Sequence, residues 1–163
     1  TLIALRHKGD PVMGVISFPA LNETAWAVKG RGAFSENQRL QVSSHCIVKG
    51  SFVGIADKYC FKEKKCIPLY NRIHREAKIV RTYPDAFGHL MAIRGAIDVM
   101  VDPWAYTWDY APSKIMVQEA GGEFANFTGS KAGLGVGNAI SGNPKMVKAV
   151  RAMVREANSR TKK

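Results

Sequence analysis

Cysteine is scarce in this 163-residue sequence: Cys46, Cys60 and Cys66 are the only three. Their odd number and the lack of any Cys-x-x-Cys spacing argue against a disulfide scaffold, a zinc ribbon or a redox motif, and favour a reducing, cytoplasmic-type location. No apolar run approaches the roughly 20 residues needed to cross a bilayer, and no charged-then-apolar leader precedes Thr1. Internal repeats and low-complexity tracts are missing. Acidic residues are the minority, 13 Asp and Glu against 24 Lys and Arg, for a formal net charge of +11. Such a balance makes polyanions or phosphorylated substrates plausible partners. With 46% hydrophobic and 23% charged residues, the chain reads as a folded domain rather than a disordered one. Its length suits a single domain over residues 1–158, followed by a basic tail at 159–163.

The positive charge is concentrated. Lys58 to Arg81 holds eight Lys and Arg against Glu63 and Glu76, and the last twenty residues hold seven against Glu156. Such runs usually form solvated faces. A nucleic-acid interface also needs a binding module, and the basic residues here are not interleaved with aromatics. Nucleic acid is therefore not an expected partner.

Hydrophobic periodicity predicts a mixed α/β chain without strict βαβ alternation. Residues 2–18 read as a hairpin turning at Gly9-Asp10-Pro11, and Ala25–Val28 as a third strand ending at the Gly30-Arg-Gly32 turn. Further strands are expected at Ser51–Ala56, Lys78–Thr82, Ile97–Val101, Glu123–Asn126 and Val136–Ser141. Helices are expected at Pro68–Ala77, Ala86–Ala96 and Tyr110–Ala120, with Gly121-Gly122 as a stop. Tyr59 to Lys65 reads as a charged loop. Asn143-Pro144 reads as a cap and first-turn proline opening a last helix striped by Met146, Val147, Val150, Met153 and Val154, with a frayed tail from Ser159. His7, His45 and His74 read as surface residues, His89 as packed on a helix, and the cysteines as free thiols.

Chemistry is concentrated between Asp98 and Gly122. Asp102 ends a buried strand and Asp109 stands at a helix start, a corner where a carboxylate suits Mg²⁺ and a helix N-terminus suits phosphate. Read alone, Asp109 is equally an ordinary cap and Asp102, before Pro103, an ordinary turn residue. Trp104 and Trp108 read as core or rim packing.

Several ordered motifs together resemble the inositol monophosphatase family of Mg²⁺-dependent phosphatases. They are Trp108-Asp109 before a helix ending Glu119-Ala-Gly-Gly122, and Lys29-Gly-Arg-Gly-Ala-Phe34 followed by Leu40-Gln-Val-Ser43. Tyr83-Pro-Asp-Ala-Phe-Gly-His89 with Val101-Asp-Pro103 is similar to the histidinol-phosphatase branch. The resemblance covers roughly residues 1–150. It implies a layered αβαβα sandwich of the inositol monophosphatase and fructose bisphosphatase type, lacking its N-terminal part here. It implies Asp109 as a ligand of the second Mg²⁺, and Asp102 and Asp85 as groups that orient substrate hydroxyls or amines. Three places depart from the pattern: Pro84 replaces a usual Gly, Ser35-Glu-Asn-Gln38 lacks the Asn-Gly pair, and Pro112 interrupts the small-residue run after Asp109.

The resemblance also implies carboxylates on a glutamate-rich segment and an Asp-Pro-x-Asp-Gly-Thr loop, neither of which occurs between Thr1 and Lys163. The expected function is hydrolysis of a small phosphate monoester such as histidinol phosphate or an inositol or sugar phosphate. The 163 residues alone are expected to be inactive, with the water-activating groups upstream of Thr1. The alternative is a non-catalytic module of the same descent that binds a phosphorylated ligand or an acidic partner. The first two strands are expected to expose an apolar face, covered by self-association or by a complementary N-terminal segment.

Overall fold

A computed structural model describes residues 1–129 and 134–160. In chain order the strands and helices are β1 (Leu2–His7), β2 (Asp10–Phe18), β3 (Glu23–Val28), β4 (Gly32–Ser35), β5 (Gln38–Arg39), β6 (Phe52–Ile55), α1 (Lys58–Glu63), α2 (Ile67–Glu76), β7 (Ile79–Thr82), α3 (Asp85–Ile93), β8 (Val99–Asp102), α4 (Thr107–Glu119), β9 (Glu123–Ala125), β10 (Ala139–Gly142) and α5 (Pro144–Arg160). The first five strands form an antiparallel meander in the order β1-β2-β3-β4-β5. The second sheet runs β7-β6-β8-β10-β9, with β6 parallel to both β7 and β8 and β10 antiparallel to its neighbours.

The period-2 alternation of strands assigns each side chain to a layer. From the first sheet, Ile16, Ala25, Ala27 and Ala33 pack with Leu90 and Ile93 of α3 and Tyr110, Met116 and Val117 of α4. Those two helices lie between the sheets. On the far side of the second sheet, Val53, Ile55, Val99, Val101 and Ile140 pack with Phe61 of α1, Leu69 and Ile73 of α2, and Met146, Val147, Val150 and Val154 of α5. The order of layers is therefore sheet, helices, sheet, helices, as expected for an αβαβα sandwich without its first helical layer.

The outer face of the first sheet is apolar and open. Cross-strand register aligns Ile3, Val15, Trp26 and Phe34 across four strands. Ile3 is 54% exposed, Leu5 56% and Trp26 38%, and Trp26 stacks on Phe34 with ring centroids 4.8 Å apart.

Three local expectations need correction. Tyr59 to Lys65 is largely helical: Asp57 caps α1 by accepting a hydrogen bond from the Tyr59 N–H at 2.7 Å, and Phe61 is buried beneath it. The short strands β4 and β5 extend the first sheet beyond the Gly30–Gly32 turn. Helix α4 begins at Thr107, three residues before the predicted start, so Pro112 falls inside it. That proline cannot donate the helical hydrogen bond to the Trp108 carbonyl. It lies against β2 at Gly14, where a Cβ would come within 2.8 Å of the Pro112 Cα and 2.9 Å of its carbonyl oxygen. A bare backbone on the strand lets the interrupted helix pack directly onto the sheet. The helix α5 begins as expected, with Asn143 Oδ1 accepting from the Lys145 N–H at 2.9 Å and Pro144 in the first turn. It continues through the part of the tail expected to fray, to Arg160; residues 161–163 lie outside the described residues.

Candidate functional site

Parallel strands turn toward function at their carboxyl ends, where the chain leaves the sheet and polar side chains can converge. Here three neighbouring parallel strands each end near an aspartate: Asp85 after β7, Asp57 after β6 and Asp102 at the last position of β8. Cys60 lies in the first turn of α1, beside these strand ends. Burial pushes its thiol above the ordinary range, and the Asp102, Asp57 and Asp85 carboxylates push it in the same direction. A thiol so placed is held protonated and is a poor nucleophile. Cys66 is raised further, to about 11, by burial. All three cysteines are free, as expected.

Asp85 is exposed at the start of α3 and adopts φ +36° directly after Pro84. A left-handed backbone at a non-glycine residue costs about 1–2 kcal/mol, and such strain gathers at ligand-binding positions. Asp102 is 2% exposed, with Oδ1 accepting from the Trp104 N–H at 3.0 Å. Its Oδ2 stands 3.7 Å from Nε2 of His89, a buried residue whose Nδ1 lies 2.7 Å from Ser141 Oγ. Tyr110 closes the other side, its ring edge-on to the imidazole at 5.6 Å. Burial, together with the Asp102 and Asp109 charges, drives the Tyr110 hydroxyl far above its usual pKa.

Asp109 is half-buried in the third position of α4, not at its cap. Its Oδ2 accepts from the Tyr106 N–H at 2.9 Å, while its own N–H donates to the Tyr106 carbonyl at 3.0 Å. The carboxylate thus closes the first turn of the helix. Trp108 (67% exposed) and Tyr106 stack at 4.8 Å, and Lys64 Nζ sits 4.3 Å from the centre of the Trp104 ring. The expected tryptophan packing therefore holds for Trp104 as a rim residue, while Trp108 is largely in solvent.

The structure brings Asp85 and Asp102 into one region with Asp57 and His89, two residues that the sequence reading did not single out for a site. An aspartate between a strand and a helix signals Asp57; nothing in the sequence signals the contacts of His89. The expected Mg²⁺ is a harder fit. Among the described residues, no three His, Cys, Asp or Glu side chains are placed to hold a metal ion. Asp109 offers one carboxylate with one oxygen already committed to the helix turn. These residues can contribute an edge to a metal site but do not constitute one.

Comparison with known proteins agrees with the motif reading. The model of the inositol monophosphatase family matches residues 1–160. The histidinol-phosphatase of Mycobacterium tuberculosis is 33% identical over 152 residues, covering 88% of this chain and 56% of that protein. Nus factor SuhB of Escherichia coli K12 is 31% identical over 159 residues, covering 94% of this chain and 59% of its own length. The Thermotoga maritima IMPase superposes with a TM-score of 0.83 at 28% identity, over 96% of this chain and 61% of that one. The chain spans less than two-thirds of the length of each. No helix among the described residues is long and apolar enough to cross a membrane. A match over nearly the whole chain, by motif, sequence and fold together, makes this chain a member of the inositol monophosphatase family.

Proposed function

We propose that the chain forms the substrate-orienting part of a Mg²⁺-dependent phosphatase that hydrolyses a small phosphate monoester, with histidinol phosphate, an inositol phosphate or a sugar phosphate as candidates. The observation that carries this reading is the placement of Asp57, Asp85 and Asp102 at the carboxyl ends of three adjacent parallel strands. Carboxylates accept hydrogen bonds and favour cations, so they suit the hydroxyl or ammonium end of such a substrate rather than its phosphate. Asp102 and Asp85 would hold that end, and Asp109 would lend one carboxylate to a metal. Groups that activate water belong to the portion of such an enzyme that this chain does not span. The 163 residues are accordingly expected to bind but not to turn over.

Calorimetric titration with histidinol phosphate and with inositol 1-phosphate in millimolar Mg²⁺, paired with a phosphate-release assay, tests this. Binding lost in Asp102→Asn without turnover by the wild type is the expected result. Turnover that disappears in Asp109→Ala would overturn the division of labour, and no binding at all would overturn the substrate-orienting role. The lack of a three-ligand metal group among the described residues favours a second reading, a non-catalytic ligand- or partner-binding module. That reading predicts binding independent of Mg²⁺. Coverage of the apolar outer face by a second copy or a complementary segment is proposed in either case.

A further inference from the structure

Behind Asp102 lies a serine–histidine–aspartate set drawn from three elements: Ser141 on β10, His89 on α3 and Asp102 on β8. All three are buried, at 0%, 1% and 2% exposure. Ser141 pairs with Met100, two residues short of the strand end at which Asp102 stands, and is fully enclosed there, so the set is not a hydrolytic triad. Its geometry follows from the sheet. Ser141 pairs with Met100 in the β8–β10 register, and Asp102 shares the helix-facing side of β8 two residues on, so one imidazole from α3 reaches both.

The two ring nitrogens of His89 differ in their partners. Ser141 Oγ, 2.7 Å from Nδ1, can donate to it, which leaves the ring proton on Nε2. Nε2 makes no hydrogen bond, although it is fully enclosed. It faces Asp102 Oδ2 at 3.7 Å, too long for a hydrogen bond but close enough for a small side-chain rotation to form one. Asp102 Oδ1 is engaged by the Trp104 N–H, so Oδ2 is the oxygen left within reach of the imidazole. A buried N–H left without a partner is costly, and pairing it with Asp102 relieves that cost.

We propose that His89 is a positioning residue: Ser141 fixes its tautomer, and its Nε2–H holds the Asp102 carboxylate in the orientation that presents it to substrate. This rests on the reading of Asp102 as a substrate-orienting group. Histidine-selective ¹⁵N–¹H NMR of the chain tests the pairing directly. A protected Nε2–H tautomer is expected, its proton moving upfield in Asp102→Asn and the tautomer losing its preference in Ser141→Ala. An Nδ1–H tautomer, or an Nε2 proton indifferent to Asp102→Asn, overturns the pairing. Calorimetry with histidinol phosphate tests the consequence. His89→Leu should weaken binding by about tenfold, and His89→Gln, whose amide can still donate toward Asp102, should restore most of it. Equal losses in the leucine and glutamine variants would mark a packing role and overturn positioning. Should the leucine variant fail to fold, His89→Phe serves for the same comparison. A wild-type chain that shows the pairing but binds no ligand overturns the reading of Asp102, and the positioning role with it; that result is distinct from a ring proton indifferent to Asp102.

Discussion

Asp98 anchors the start of the strand whose end presents Asp102, and its removal should be costly in a graded way. Its carboxylate accepts from Ser43 Oγ at 2.6 Å and from the Phe52 N–H at 2.7 Å, and the residue is 9% exposed. The same junction is closed by Asn143, whose N–H donates to the Asp98 carbonyl at 3.0 Å and whose side-chain amide donates to the Ser43 carbonyl at 2.7 Å. Hydrogen bonds to a charged acceptor contribute about 1.5–3 kcal/mol each, so Asp98→Ala, which removes two, should cost about 3–6 kcal/mol. Asp98→Asn should cost less, about 1–2 kcal/mol. Its single carbonyl can serve the Phe52 N–H, while the Ser43 hydroxyl rotates to accept from the new amide. Ser43→Ala, which removes one donor and leaves the Phe52 bond, should fall between them. Equilibrium urea denaturation of the three variants reads these differences as midpoint shifts at constant slope. An alanine variant within about 0.5 kcal/mol of wild type, below the usual worth of one such bond, would refute the anchoring argument. So would an asparagine variant as unstable as the alanine one.

Other consequences are as direct. Gly14→Ala places a methyl group 2.8 Å from Ile115 Cγ2 and from the Pro112 Cα, and overpacking of this kind should cost about 1–3 kcal/mol or more by thermal or urea melting. Asp10 pairs with Lys114 Nζ at 2.8 Å, and this hydrogen bond and charge hold its carboxyl below the ordinary 3.8. A depressed folded-state value adds stability that is full at pH above 3.8 and is lost as pH falls from there through the lower, folded-state value; the melting-temperature difference between wild type and Asp10→Asn should therefore shrink to nothing in strong acid. The exposed Ile3, Leu5 and Trp26 should drive concentration-dependent association, seen by light scattering and reduced in Ile3→Lys/Leu5→Lys. A monodisperse monomer at high concentration would count against that.

Long, strongly patterned elements were legible in the sequence: the β1–β2 hairpin, α2, α3 and the capped α5 all follow from local periodicity and turn chemistry. The first sheet's open apolar face was legible because the motifs implied a sandwich with one layer missing. Features set by tertiary packing were not. The short helix α1 lacks a long apolar stripe and depends on the Asp57 cap and the burial of Phe61. The early start of α4 depends on Asp109 closing the turn at Tyr106, which a proline at 112 concealed. For the site, Asp102 and Asp85 stood out through ordered motifs, whereas Asp57 and His89 join them only because β6, β7 and β8 lie side by side and α3 crosses behind. Residue spacing along the chain carries no trace of that adjacency.

Chemical-shift mapping with histidinol phosphate is the most direct test of the claim that the ends of β6, β7 and β8 form a ligand site. Perturbations are expected to concentrate at residues 56–60, 83–89 and 102–109 and to vanish in Asp102→Asn. Perturbations confined to the basic face of α5, or their absence under millimolar ligand, would contradict it.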